Sequence, residues 1–291
     1  MGTSQSSGGP GGGVPMVPSW TPDPPAADPP AAAPPTDGDE GAPGDPDGSA
    51  PPAPTSIPPA PRVVPVAPPA RFAGTRRSIG DFARAGDERD MRRSLGHYVR
   101  TGYGGSRVTT QRFGSTAATA GALGGALAGV ASGQPAAPGS PLDPALLAGR
   151  SVNEVMDAVV EAVRPVDGTQ DAEAERAAIR DALSDLLTRF PEADLLNLDL
   201  DQRGFAIERF TAIDVFRRFE LDVGKTIVEK APSAAAALAR LKQVRDYVKQ
   251  TVAASFRKLR EAGRTLTAGR IGQVVRDALK DTFDVFEGYA E

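Results

Sequence analysis

The chain of 291 residues has no cysteine. Disulfides, thiolate nucleophiles and cysteine-bound zinc are therefore excluded. It has a single histidine, His97, so a serine nucleophile could find an imidazole base only there, and no second imidazole stands by to help hold a metal. Neither a metal nor a cofactor is expected. Long apolar runs are also missing. The one long uncharged stretch, residues 114–133, offers only Leu123, Leu127 and Val130 as bulky apolar side chains, so its transfer into lipid gains little. Gly121, Gly125 and Gly129 recur there at every fourth position and share one helix face. A helix packed closely on a neighbour is the expected use, with no membrane partner. The N-terminal residues carry neither a basic cluster nor an apolar core, so no secretory leader is read and a cytoplasmic location is expected.

What is present divides the chain sharply. Of 28 prolines, 21 lie at or before Pro69, and ten glycines share that segment. Such a composition has no apolar period and cannot offset an ordering entropy of roughly 1–2 kcal/mol per residue. Residues 1–70 are expected to be disordered, as a terminal segment (1–20) ending at the only tryptophan, Trp20, and a proline-rich linker (21–70). The tail holds seven acidic residues and one basic residue, Arg62. Residues 71–112 reverse the sign, with ten arginines against four acidic residues.

Order is expected from about residue 71, and from about residue 143 onward the period is helical throughout. Asp87 is placed to cap a helix over residues 87–101, and an uncharged helix should follow over 114–133. Ser151 with Glu154 three residues later forms a capping-box pattern ahead of Val152, Val155, Val159 and Val163. Further helices are expected over residues 171–189, 203–230, 233–262 and 267–288. Loops are short and no strand pair is credible, so an all-α bundle is expected. Two parts are read within it, an Arg-rich and Gly/Ala-rich helical segment (71–142) and a bundle domain (143–291).

No catalytic constellation emerges. Gly102-Tyr103-Gly104-Gly105-Ser106 lacks the strand and the Gly-Lys-Ser/Thr of a phosphate loop and reads as an interhelix turn. Gly224-Lys225-Thr226 falls inside a helical period. His97 has no carboxylate or hydroxyl at a fixed spacing and reads as a surface or packing residue. Glu173, Glu175, Asp181 and Asp185 read as solvated helix faces. The chain is expected not to be an enzyme. The terminus differs: if Met1 is removed, Gly2 presents an unhindered α-amine whose pKa of about 7.7–8.0 leaves it substantially nucleophilic near neutral pH.

Three stretches carry a resemblance. The start Met1-Gly2-Thr3-Ser4, the turn Gly8-Gly9-Pro10 and the run Val17-Pro18-Ser19-Trp20 resemble the opening of QatB proteins of bacterial Qat anti-phage systems. A second similarity lies at Asp214-Val215-Phe216-Arg217-Arg218-Phe219-Glu220-Leu221-Asp222-Val223-Gly224-Lys225. The resemblance implies a non-enzymatic subunit acting beside an ATPase, a QueC-like enzyme and a TatD-like nuclease. It further implies that the QueC-like partner recognises Met1, Gly2, Thr3 and Ser4 and attaches a 7-deazaguanine group to Gly2. The roughly 65 residues between the tip and the folded part, at 5–6 Å × √n, would give it roughly 40–50 Å of reach. The alternative reading is a helical scaffold that binds nucleic acid or a partner protein through its Arg-rich segment.

Overall fold

The computed structural model describes residues 70–133, 137, 139–267 and 269–290. The expected disorder of the tail lies outside these residues, and so do Met1, Gly2, Thr3 and Ser4. Among the described residues every regular element is helical and no strand occurs, so the fold is all-α as the periodicity requires.

Two helices open the folded part, α1 (Ala73–Ala85) and α2 (Glu88–His97). Gly86, at φ 80° and in the left-handed region, ends α1 by donating its N–H to the Phe82 carbonyl, and the Asp87 carboxylate then accepts the Arg89 N–H to start α2. Helix α1 was not foreseen; Gly74, Thr75, Ser78 and Gly80 weaken its local propensity. Tertiary burial of Ile79 and Phe82 overrides that weakness. A π-helical turn, Tyr98–Tyr103, continues α2. Gly104 and Gly105, at φ 91° and 101°, then break the chain ahead of α3 (Ser106–Arg112) and α4 (Gly114–Ala131). The expected interhelix turn is thus real but shorter, since Gly102 and Tyr103 remain in the π turn.

After the short α5 (Pro144–Leu147), the capping box of Ser151 and Glu154 forms as read and starts α6 (Val152–Val163). Thr169 caps α7 (Gln170–Arg189). Leu195 and Leu198 are buried in the turn that follows, and Asp199 with Gln202 makes a second capping box that opens α8 (Leu200–Phe219) three residues earlier than the apolar period predicts. A π turn, Glu220–Gly224, leads without a break into α9 (Lys225–Lys230), so Gly224-Lys225-Thr226 is helical as expected. Ser233 caps α10 (Ala234–Glu261), and Gly263, at φ 75°, follows its end. The last helix, α11 (Ile271–Glu287), starts later than expected because residues 264–267 adopt no regular structure.

Helix α8 is the axis of the fold. It is buried on nearly every side, by α4, α7 and α10, which explains why it shows no clean apolar stripe. Its Phe210, Ile213, Phe216 and Phe219 join one core with Leu183 of α7, Val248 of α10 and Phe283 of α11. Val152, the first of the apolar row read for α6, is instead exposed at the first position of that helix.

Candidate functional site

The segment of α8 that resembles the family also holds the densest set of buried charges. Asp214 is fully buried, and its Oδ2 accepts from the Thr116 hydroxyl at 2.6 Å and from Arg218 Nε at 3.3 Å. The same guanidinium donates to Glu175 Oε1 of α7 at 2.8 Å and to the Ser115 hydroxyl at 2.6 Å. Glu175 is 1% exposed and takes a further hydrogen bond from Thr119 at 2.9 Å and an ion pair with Arg164 at 2.9 Å. The Arg218 guanidinium also lies 5.1 Å from the centre of the Phe113 ring. Three helices, α4 at its start, α7 and α8, are therefore joined through one arginine, and Arg164 at the end of α6 joins them through Glu175.

Glu175 corrects the reading of α7 as carrying only solvated carboxylates. Its satisfaction comes from Thr119, Arg164 and Arg218, which are remote in sequence, so local periodicity could not show it. The electrostatics are tight. Burial lifts the Asp214 carboxyl to about 6 despite the opposing pull of Arg218 and the Thr116 hydroxyl, and the nearby Glu175 adds to the rise. Asp214 Oδ1 has no hydrogen-bond partner, consistent with a carboxylate that is costly to ionise.

One turn further on, the two π turns meet. Asp222 Oδ2 accepts from the Tyr98 hydroxyl at 2.9 Å and the Tyr103 hydroxyl at 2.7 Å, and Arg71 stands 3.7 Å from its Oδ1. The two tyrosines pack edge to face at 5.1 Å between ring centres. Burial, reinforced by the Asp222 carboxylate, pushes the Tyr103 hydroxyl up to about 12, and burial also holds Tyr98 well above its ordinary value. Both are therefore fixed donors near neutral pH, and the cluster locks geometry rather than moving protons. A π turn inserts an extra residue and rotates the helix beyond it. The insertion at Glu220–Gly224 turns Asp222 toward α1 and α2, while Asp214 and Arg218 face α4 and α7.

His97 is half-buried beside Gly74, and its Nδ1 lacks a hydrogen-bond partner. Burial first, and then the positive charges of Arg93 and Arg100, lower its pKa. It lies apart from the Asp214 cluster, as a packing histidine would. The Ser106 end of α3, read as part of a turn, is occupied from within the fold: its N–H donates to Glu287 at 2.9 Å and its hydroxyl to Asp284 at 2.5 Å. A cleft of about 510 Å³ lies between α4, the start of α8 and the approach to α11, with Gly125, Ile207, Leu266 and Ile271 in its walls and Arg203 among them. Among the described residues no group of three or more His, Asp or Glu is disposed to hold a metal, and no helix is long and apolar enough to cross a membrane.

A family model described as Qat anti-phage system associated protein QatB matches residues 104–286, well over half of the chain. The chain belongs to the QatB family. Neither a curated protein nor a solved structure matches it. As a QatB protein it is a component of a Qat anti-phage system, and the other components of that system are its partners. The matched range takes in α3 to α11 and the Asp214–Arg218–Glu175 cluster, and it begins after α1 and α2. The match lies on the helical bundle and does not reach the terminal motif.

Proposed function

We propose that this QatB protein is a non-enzymatic, cytoplasmic subunit that presents Gly2, freed by loss of Met1, for attachment of a 7-deazaguanine group by the QueC-like enzyme of its system. Family membership is the observation that carries the reading, and the start Met1-Gly2-Thr3-Ser4 supplies the acceptor. The chemistry agrees with the role. Glycine has no Cβ to obstruct its amine, and a pKa of about 7.7–8.0 keeps a sizeable neutral fraction near pH 7. Residues 1–20 are the recognition segment, residues 21–70 a linker that lets it reach another enzyme's active site, and residues 71–291 the folded part that meets the remaining components, the ATPase and the TatD-like nuclease.

The test is intact-mass measurement after co-expression with the QueC-like enzyme. Wild-type protein should lose Met1 and gain an adduct, whereas Gly2→Val, which slows Met1 removal and crowds the nitrogen, should show neither while keeping its helix content. An unmodified Met1 on wild-type protein purified from the complete system would remove Gly2 from the mechanism.

A further inference from the structure

Residues 71–112 contain ten arginines and no lysine. Four of the ten have a carboxylate within reach: Arg71 with Asp222, Arg84 with Asp81, Arg92 with Glu88, and Arg93, at 3.9 Å, with Asp90. The other six, Arg76, Arg77, Arg89, Arg100, Arg107 and Arg112, are all exposed, and none has a carboxylate within 4.0 Å among the described residues. The four acidic residues of the segment are already engaged, three in those pairs and Asp87 in capping α2. No source of neutralisation is left within the segment.

The charges stand on a rigid frame. Helix α1 packs on α2, and α1, α2 and α3 each meet the Tyr98–Tyr103 turn. Arg89 and Arg93 fall opposite Met91 and Leu95, which α2 buries, and Arg100 stands exposed in the π turn that follows. His97, between Arg93 and Arg100 in the chain, is held below its ordinary pKa first by burial and then by those two charges, which agrees with a locally positive potential.

Two further features narrow the partner. None of the large exposed apolar residues of the protein falls within residues 71–112, so the surface lacks the apolar centre on which protein interfaces depend. Nor is there a platform for unstacked bases: Phe72, Phe82 and Tyr98 are buried, and Tyr103 is enclosed by Phe72, Tyr98 and Phe113. Single strands are gripped by aromatic stacking, which this surface cannot supply. What remains is an array of guanidinium forks, shaped for phosphate oxygens.

We propose that the arginine surface of α1–α3 binds the phosphate backbone of double-stranded DNA without reading its sequence.

The test is fluorescence anisotropy of a labelled duplex of ~30 base pairs with the full chain, across about 50–200 mM salt. Six phosphate contacts should weaken wild-type binding by about 10³-fold over that range. The variant Arg76→Gln/Arg89→Gln/Arg100→Gln should flatten the log–log salt slope by about 3. The control Lys242→Gln/Lys258→Gln/Lys280→Gln removes the same charge from lysines that already face Asp246, Asp281 and Asp284, and it should leave the slope unchanged. Should the first variant lose its helical circular dichroism, Arg77→Gln/Arg107→Gln replaces it, with a flattening of about 2. The proposal falls if wild-type protein does not bind the duplex at the lowest salt, or if the lysine control flattens the slope equally. Tighter binding of a single strand, or of poly-glutamate of equal charge, would overturn it in favour of another partner.

Discussion

The arginines of residues 71–112 and Arg218 of α8 are the same residue type put to opposite uses. Six of the first group point into solvent with no carboxylate in reach, whereas Arg218 is 12% exposed and is shared by Asp214, Glu175 and Asp171. A charge in water interacts weakly and can be removed with little effect on the fold. Inside the bundle its removal leaves carboxylates without a partner in a medium that solvates them poorly. The difference separates two tasks: the inner charges decide how the helices fit, and the outer ones are free to meet something else. It also fits the extent of the family match, which contains all of the Arg218 cluster but, of the six outer arginines, only Arg107 and Arg112.

The largest expected effect comes from breaking the inner set. Arg218→Met keeps much of the side-chain volume over Phe113 but removes the positive charge, leaving Asp214 and Glu175 buried with too few donors. A loss of about 3–5 kcal/mol in unfolding free energy is expected from urea titration. A loss below about 1 kcal/mol would mean that Arg164 and the threonines suffice for both carboxylates, and the contrast with the surface arginines would collapse.

Titration sharpens the same comparison. The Asp214 carboxyl is raised to about 6 in the folded chain from an ordinary value of 3.8. Between those values the folded state holds a proton that the unfolded state has released. Asp214 therefore contributes stability at acid pH that is lost as pH rises from about 4 to about 6 and is absent at neutrality. The loss is on the order of 3 kcal/mol. Glu154, held down to about 2 by the Ser151 N–H and Arg150, has the opposite slope, as do the depressed Asp143, Asp167 and Asp284. These groups act equally in wild type and in Asp214→Asn, so they cancel in the difference. The stability of Asp214→Asn relative to wild type should rise from pH 4 to pH 7. A flat difference, or one that falls with pH, would show that Asp214 ionises without strain.

Much of this architecture was legible because it is local. Capping by Asp87 and the Ser151 and Glu154 box are short-range hydrogen-bond rules, and each formed as read. The apolar rows of α7, α10 and α11 set their buried faces in the same way. What escaped the sequence is non-local. Glu175 lies beside Arg176 on a helix rich in charge, and nothing nearby says that Thr119 and Arg218 will close over it. The meeting of Tyr98 and Tyr103 with Asp222 depends on two π turns, each of which shifts register by an amount that no helical period predicts. Gly102 and Gly224 mark those turns: a Cβ at Gly102 would come within 2.6 Å of the Phe72 ring, and one at Gly224 within 2.9 Å of the Glu220 side chain. Such glycines become informative only once the neighbours are known.

The smallest effect on stability belongs to the outer arginines, and its smallness is the point. Arg89 and Arg100 are exposed and hold no carboxylate among the described residues, so replacing either by Gln removes little packing and no ion pair. Gln is also nearly as good a helix former as Arg. Each change should move the unfolding free energy by no more than about 0.5 kcal/mol, read as a melting-temperature shift of at most a few degrees. Removing a positive charge from a crowded basic row relieves repulsion, so a slight gain is as acceptable as a slight loss. A cost above about 2 kcal/mol at either position would place that guanidinium inside the structural network of α8. The division between charges that hold the bundle together and charges that face outward would then have to be redrawn.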